Sequence, residues 1–201
     1  MHYLGVDLGE LIRTVGLVGL FLIVFAETGL FLGFFFPGDS LLFVAGLLAA
    51  QGLFPLPALI GVLLLAAITG NMTGYWFGKK VGPKLFERDD SLLFRKAHVK
   101  KAQSFYEKHG AKTIMLARFV PIVRTFAPIV AGIAEMNYRS FLAYNILGAL
   151  FWTVGLTLGG YLFGSLITDI DRYLLPVILV IILLSFLPAV WHIWKERHIK
   201  E

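Results

Sequence analysis

The sequence contains no cysteine, which removes disulfide frameworks, thiolate metal sites and thiol nucleophiles from consideration. Charge is scarce as well. Acidic and basic side chains make up 15% of the 201 residues, against 58% that are hydrophobic. No His-Glu-x-x-His, Gly-x-Ser-x-Gly or lysine-bearing glycine loop occurs, so zinc-protease, serine-hydrolase and P-loop chemistries lack their defining residues. No clustered His/Asp/Glu spacing points to a metal. The expectation is a protein that is not an enzyme and that uses no cofactor or metal. A basic leader is missing too: residues 1–15 hold one basic residue, Arg13, beside Asp7 and Glu10. The N-terminus is therefore expected to be retained rather than cleaved.

What is present is apolar length. A soluble domain of this size cannot hide so much hydrophobic surface, and the composition specifies an integral membrane protein. Apolar runs fall at about 11–36, 41–54, 56–78, 113–134, 141–164 and 172–194. Three of them, 56–78, 141–164 and 172–194, reach the ~20 residues a bilayer crossing needs. The last ends at Trp191 and Trp194 beside basic residues, as an interfacial belt does. The run 41–54 is too short to cross and reads as one limb of a re-entrant hairpin.

The net charge of +5 is unevenly placed: residues 79–112 hold ten Lys/Arg against four acids. Within a polytopic protein this is the positive-inside pattern rather than a nucleic-acid patch. It puts the 79–112 linker and the C-terminal tail in the cytoplasm. Residues 90–109 are basic and amphipathic, with Phe94, Val99, Ala102 and Tyr106 on one face, Asp90 as N-cap and Gly110 as stop. They read as a helix on the cytoplasmic membrane surface.

The run 113–134 raises a sharper question, because it contains Arg118, Arg124, Pro121 and Pro128. Its ten Ile, Leu, Phe and Val residues contribute about −3 to −6 kcal/mol to insertion, while two central arginines cost about +5 to +7. Two prolines also interrupt the backbone ladder. A straight lipid-facing span is disfavoured, whereas broken backbone is tolerated where protein or water lines it. The segment therefore reads as a second re-entrant hairpin with Pro121–Thr125 at its tip.

The halves are similar. Val44-Ala45-Gly46 recurs as Val130-Ala131-Gly132, and Gly74-Tyr75-Trp76-Phe77-Gly78 as Gly160-Tyr161-Leu162-Phe163-Gly164, both at an offset of 86. Pro37 matches Pro121 after a two-residue adjustment. With 79–112 cytoplasmic, the first repeat (27–78) and the second (113–164) enter the membrane from opposite sides. The fold class is thus an all-α polytopic membrane protein, one membrane domain over 1–201. Its inverted repeat pairs a hairpin with a span in each half, followed by a C-terminal span at 172–194. Inverted repeats with broken helices are a transporter architecture.

Four ionisable residues lie inside apolar runs: Glu27, Asp39, Arg118 and Arg124. Such residues face a cavity or one another. As structure, they would form two ion pairs fixing the hairpins. As function, two guanidinium forks on either side of Pro121 would clamp a phosphate, and the two carboxylates would exchange protons. Gly38 amides would add donors, with Pro37, Pro121 and Pro128 shaping the hairpins. Asn71 and Asn145, each in a span, are expected to bond hairpin backbone. Gly70, Gly74, Gly78 and Gly82 recur every four residues, which suits close helix packing, with a homodimer seam as the alternative.

The stretches ETGLFLGFFFPGDSLLFVAG (27–46), GNMTGYWFGKKVG (70–82) and RFVPIVRTFAPIVAGIAEMNYRSFLAYNILGALFW (118–152) resemble the DedA family of the VTT-domain superfamily. The resemblance spans about residues 15–165, and Arg-Phe-x-Pro-x-x-Arg followed by Pro-x-x-Ala-Gly is its most specific motif. It implies a bacterial inner-membrane lipid transporter with opposed re-entrant hairpins. Undecaprenyl phosphate or another anionic lipid is the substrate it suggests. Ion transport that supports membrane potential and phospholipid scrambling are the other activities it implies. The family's acidic and arginine positions correspond here to Glu27, Asp39, Arg118 and Arg124. Expected partners are therefore a membrane lipid and protons, and not nucleic acid.

Overall fold

A computed structural model of the chain describes residues 8–29, 38–86, 104, 106, 108 and 110–166. Six helices are named here: α1 (Leu8–Gly29), α2 (Gly38–Ala50), α3 (Leu56–Phe86), α4 (Lys112–Ala117), α5 (Pro121–Ile133) and α6 (Tyr138–Leu166). No strand occurs among the described residues. The expected span at 172–194, Pro37, and most of the expected surface helix at 90–109 lie outside them.

Among the described residues two helices are long and apolar enough to cross a bilayer: Leu56–Gly82, 27 residues, and Tyr138–Leu166, 29 residues. At 1.5 Å per residue they extend about 40 Å. Only 33% of the apolar window of each is buried in protein. Leu65, Trp76, Phe77, Leu150, Phe151 and Leu162 are exposed on them, an outward apolar surface that suits lipid rather than water. Helix α3 continues past Gly78 through Lys79 and Lys80 to Phe86.

The short helices have local causes. In α1 the backbone at Gly16 takes φ 60, ψ −163, a region closed to residues with a Cβ. The long run that begins the chain is therefore bent there rather than straight. Gly110 has φ +72 and its N–H bonds the Tyr106 carbonyl at 2.8 Å, the left-handed stop expected of a terminating glycine. Helix α4 ends after six residues, and Val120 is extended (φ −117, ψ 108) before Pro121 opens α5. Proline suits a first helical position, where no N–H is needed. The backbone break therefore falls at Arg118–Val120, one step earlier than the expected tip at Pro121–Thr125. Pro128 lies inside α5 and brings no N–H to the Arg124 carbonyl one turn back.

Each short buried helix packs mainly on the long helix of the other half, α2 on α6 and α5 on α3. The close approaches repeat. Gly46 lies on Thr157 backbone, Gly160 on Phe43 backbone and Gly164 on Leu47. Correspondingly, Gly132 lies on Tyr75 backbone, Gly78 on Ile129 backbone and Gly82 on Ile133. The short helices thus match at the expected offset of 86, but the long helices match as Gly78 with Gly160 and Gly82 with Gly164. That register is one helical turn from the Gly74–Gly160 match read from sequence. Ten of the 13 residues of α2 are buried, as suits a helix apolar all round.

A Cβ at Gly132 would sit 2.0 Å from the Tyr75 carbonyl oxygen and one at Gly160 2.0 Å from that of Phe43. Backbone cannot yield as a side chain can, so the helices must separate. Gly132→Ala and Gly160→Ala are each expected to destabilise by about 1–3 kcal/mol. Gly155→Ala, which meets nothing within 4 Å, should be neutral or stabilising by up to about 1 kcal/mol. Thermal unfolding in detergent compares the three, and equal effects would contradict the close-approach account.

Candidate functional site

All four ionisable residues expected from the sequence come together where α1, α2, α5 and α6 meet the α4–α5 break. Glu27 stands near the C-terminus of α1 and Asp39 in the first turn of α2. A carboxylate is favoured at a helix start. Arg118 caps the C-terminus of α4, where a cation is favoured for the same reason, and Arg124 lies in the first turn of α5.

The pairing is asymmetric. Arg124 donates through Nη1 to Asp39 Oδ1 at 2.6 Å and through Nη2 to Glu27 Oε1. One guanidinium therefore holds both carboxylates. Arg118 meets no carboxylate among the described residues. Its Nη2 donates to Asn145 Oδ1 at 2.6 Å and to the Ala67 carbonyl at 3.1 Å. Two separate ion pairs, the structural alternative, are not what forms.

The asparagines do more than the expected bonding to backbone. Asn145 Nδ2 donates to the Ile68 carbonyl at 3.1 Å, so this side chain ties α6 to α3 while its oxygen holds Arg118. Asn71 Nδ2 reaches Asn145 Oδ1 at 3.0 Å. With its amide turned over, Asn71 instead accepts from Arg118 Nη2 at 3.0 Å and donates to the Thr28 carbonyl at 3.3 Å. The asparagines thus support Arg118 and the spans, and in the second orientation Asn71 also bonds backbone of the expected first hairpin at Thr28. Their reason is charge: a buried cation without a carboxylate needs oriented dipoles around it.

Gly38 lies against the Glu27 carboxylate, so close that a Cβ there would fall 1.9 Å from Oε2. The absent side chain is the space in which Glu27 sits. The Glu27 side chain has no solvent exposure, whereas that of Asp39 keeps 17%, which makes Asp39 the more accessible of the two. Among the described residues Glu27 Oε2, Arg118 Nε and Arg124 Nε have no hydrogen-bond partner. Each of these three side chains thus keeps unused bonding capacity, and both arginines keep a donor.

Sequence reading missed Trp152. It is 3% exposed on α6, and both guanidinium carbons lie over its ring, Arg124 at 5.2 Å and Arg118 at 5.9 Å from the centroid. Its indole Nε1 donates to Asp39 Oδ1 at 2.7 Å. A tryptophan in an apolar run reads as packing, and nothing local signals the difference. Tyr106 also departs from expectation. It turns into the protein, buried among Ile114, Ala127 and Ala131, and its hydroxyl donates to the Ala127 carbonyl at 3.0 Å.

Long lipid-facing helices, broken short helices and a buried cluster of two carboxylates and two arginines define an integral membrane protein with a charged centre. A profile of the VTT domain matches residues 36–162. The chain is 47% identical over 200 residues to Protein DedA of Escherichia coli K12, covering 97% of this chain and 91% of that one. It is 43% identical over 194 residues to an uncharacterised membrane protein of Mycobacterium tuberculosis H37Rv, covering 94% and 82%. To the inner membrane protein YqjA of E. coli K12 it is 31% identical over 187 residues, covering 89% and 84%. The chain belongs to the DedA family of VTT-domain membrane proteins. No solved structure matches it.

Proposed function

We propose that the protein is a flippase that moves an anionic lipid, undecaprenyl phosphate or a close relative, between the leaflets of a bacterial inner membrane, with protons as the coupling ion. One observation carries the reading: among the described residues Arg124 hydrogen-bonds only to groups that can take a proton, while Arg118 hydrogen-bonds only to neutral oxygens. Protonating the carboxylates loosens Arg124, and a phosphate can then take their place. The unused Nε donors of both arginines suit phosphate oxygens. The lipid tail stays in the bilayer, against the exposed apolar faces. No bond is made or broken, so the role is transport rather than catalysis.

The architecture we infer has α1–α2 and α4–α5 as opposed re-entrant hairpins of an inverted repeat. The doubled glycine contacts support it. The 79–112 linker and the tail are on the cytoplasmic side by their charge. The second reading is a proton- or cation-coupled ion transporter. The Glu27 carboxylate, fully buried, favours it, but it leaves both arginines without an anion.

Leaflet exchange of undecaprenyl phosphate in proteoliposomes, with and without a pH gradient, separates the readings. Exchange that a pH gradient accelerates is expected. Ion flux without lipid exchange would overturn the flippase reading in favour of the second. Exchange of neutral phospholipids at the same rate and indifferent to the gradient would mark a scramblase instead.

A further inference from the structure

Among the described residues Trp152 makes three contacts with the charged cluster, more than any other uncharged side chain there. Its indole N–H donates to Asp39 Oδ1 at 2.7 Å, the same oxygen that receives Arg124 Nη1 at 2.6 Å. Over its ring lie Arg124 at 5.2 Å and Arg118 at 5.9 Å from the centroid. An indole nitrogen can only donate, so this bond exists for an oxygen acceptor at that point and for nothing else. The bond also joins α6 to α2, a different pair of helices from the α5–α2 link made by Arg124. Asp39 is therefore fixed from two sides, and it is the more accessible carboxylate of the two.

We propose that Trp152 is a positioning residue that keeps Asp39 on Arg124 and so sets how readily an anionic headgroup displaces it. The inference rests on the anionic-lipid reading given above and deepens it. Asp39 and the headgroup compete for Arg124. Whatever anchors Asp39 lowers the apparent affinity for the headgroup and returns the carboxylate to Arg124 once the headgroup has left. The ring has a separate effect. Cation–π attraction holds both guanidinium groups to the ring, which keeps Arg124 where either anion can reach it. Phenylalanine preserves most of the ring and removes the N–H, so the two effects can be parted.

The test is calorimetric binding of farnesyl phosphate to the full detergent-solubilised chain in four forms: wild type, Trp152→Phe, Asp39→Ala and the double variant. Losing a hydrogen bond to a charged group corresponds to about a tenfold change. Trp152→Phe is expected to tighten binding about tenfold in the wild-type background. In the Asp39→Ala background, where the competitor is gone, it is expected to change nothing. A residue that merely packs would not tighten binding at all. Weakening of equal size in both backgrounds would overturn the proposal, because the headgroup itself would then be using the indole or the ring. An unchanged affinity in both would overturn it too. If none of the four forms binds farnesyl phosphate, the anionic-lipid reading falls instead. The anchoring of Asp39 is then read from the unfolding midpoints of the same samples, where coupled effects uphold it and additive effects overturn it.

Discussion

Replacing Arg124 by glutamine is expected to stop transport and to cost about 3–5 kcal/mol of stability, the usual loss when one partner of a buried ion pair is removed. Two carboxylates depend on this one guanidinium. Glu27 has no solvent exposure to fall back on, and Asp39 keeps little. Removing the charge leaves both in apolar surroundings, competing for protons and for the single N–H of Trp152. The triple variant Glu27→Gln/Asp39→Asn/Arg124→Gln should recover most of the stability, since neutral amides can bond one another. It should recover none of the transport. Arg124→Lys should fold but transport poorly, because an ammonium cannot grip two anions through a planar fork. Unfolding midpoints and leaflet exchange on the same preparations decide this. Normal transport in a folded Arg124→Gln protein would contradict the account.

Asn145→Leu is expected to be comparably damaging for a different reason. It deletes the acceptor of the Arg118 and Asn71 bonds and the donor to the Ile68 carbonyl. Each buried polar group left unpaired costs about 1–3 kcal/mol, more for a charged one, and Arg118 retains the Ala67 carbonyl. A loss of about 3–6 kcal/mol follows. Asn145→Asp separates support from function. It gives Arg118 a carboxylate and should fold, yet it should slow transport by placing a competing anion where the headgroup must approach. Wild-type transport in Asn145→Asp would show that Arg118 does not meet the substrate.

Much of this site could be read before any coordinates, because charge inside apolar sequence is rare and conspicuous. Glu27, Asp39, Arg118 and Arg124 stood out for that reason, and the two long helices followed from run length alone. The partners could not be read. Arg124 meets Asp39 across 85 positions and Glu27 across 97, and no local pattern says that one arginine takes both acids. Trp152 stayed hidden because an aromatic residue in an apolar helix looks the same whether it packs or anchors a carboxylate. The asparagines' bonds around Arg118 were not legible because a polar residue in a span signals only that it needs a partner. The glycine match read from sequence lies one turn from the glycine contacts for an instructive reason: glycines recur at every fourth position from Gly70 to Gly82. A shift of one turn keeps glycine on glycine, so identity could not fix a register that packing does.

The central claim is that Arg124 trades its carboxylates for a lipid phosphate. Magic-angle-spinning NMR of the arginine-labelled protein in liposomes containing undecaprenyl phosphate tests it most directly, through dephasing of the guanidinium carbon by phosphorus. Arg124→Lys and Arg118→Lys samples assign the signals. The account predicts phosphorus contact at Arg124 that strengthens as the pH is lowered, when protonated carboxylates release it. Contact that is absent at Arg124 at every pH, with transport intact, would contradict it.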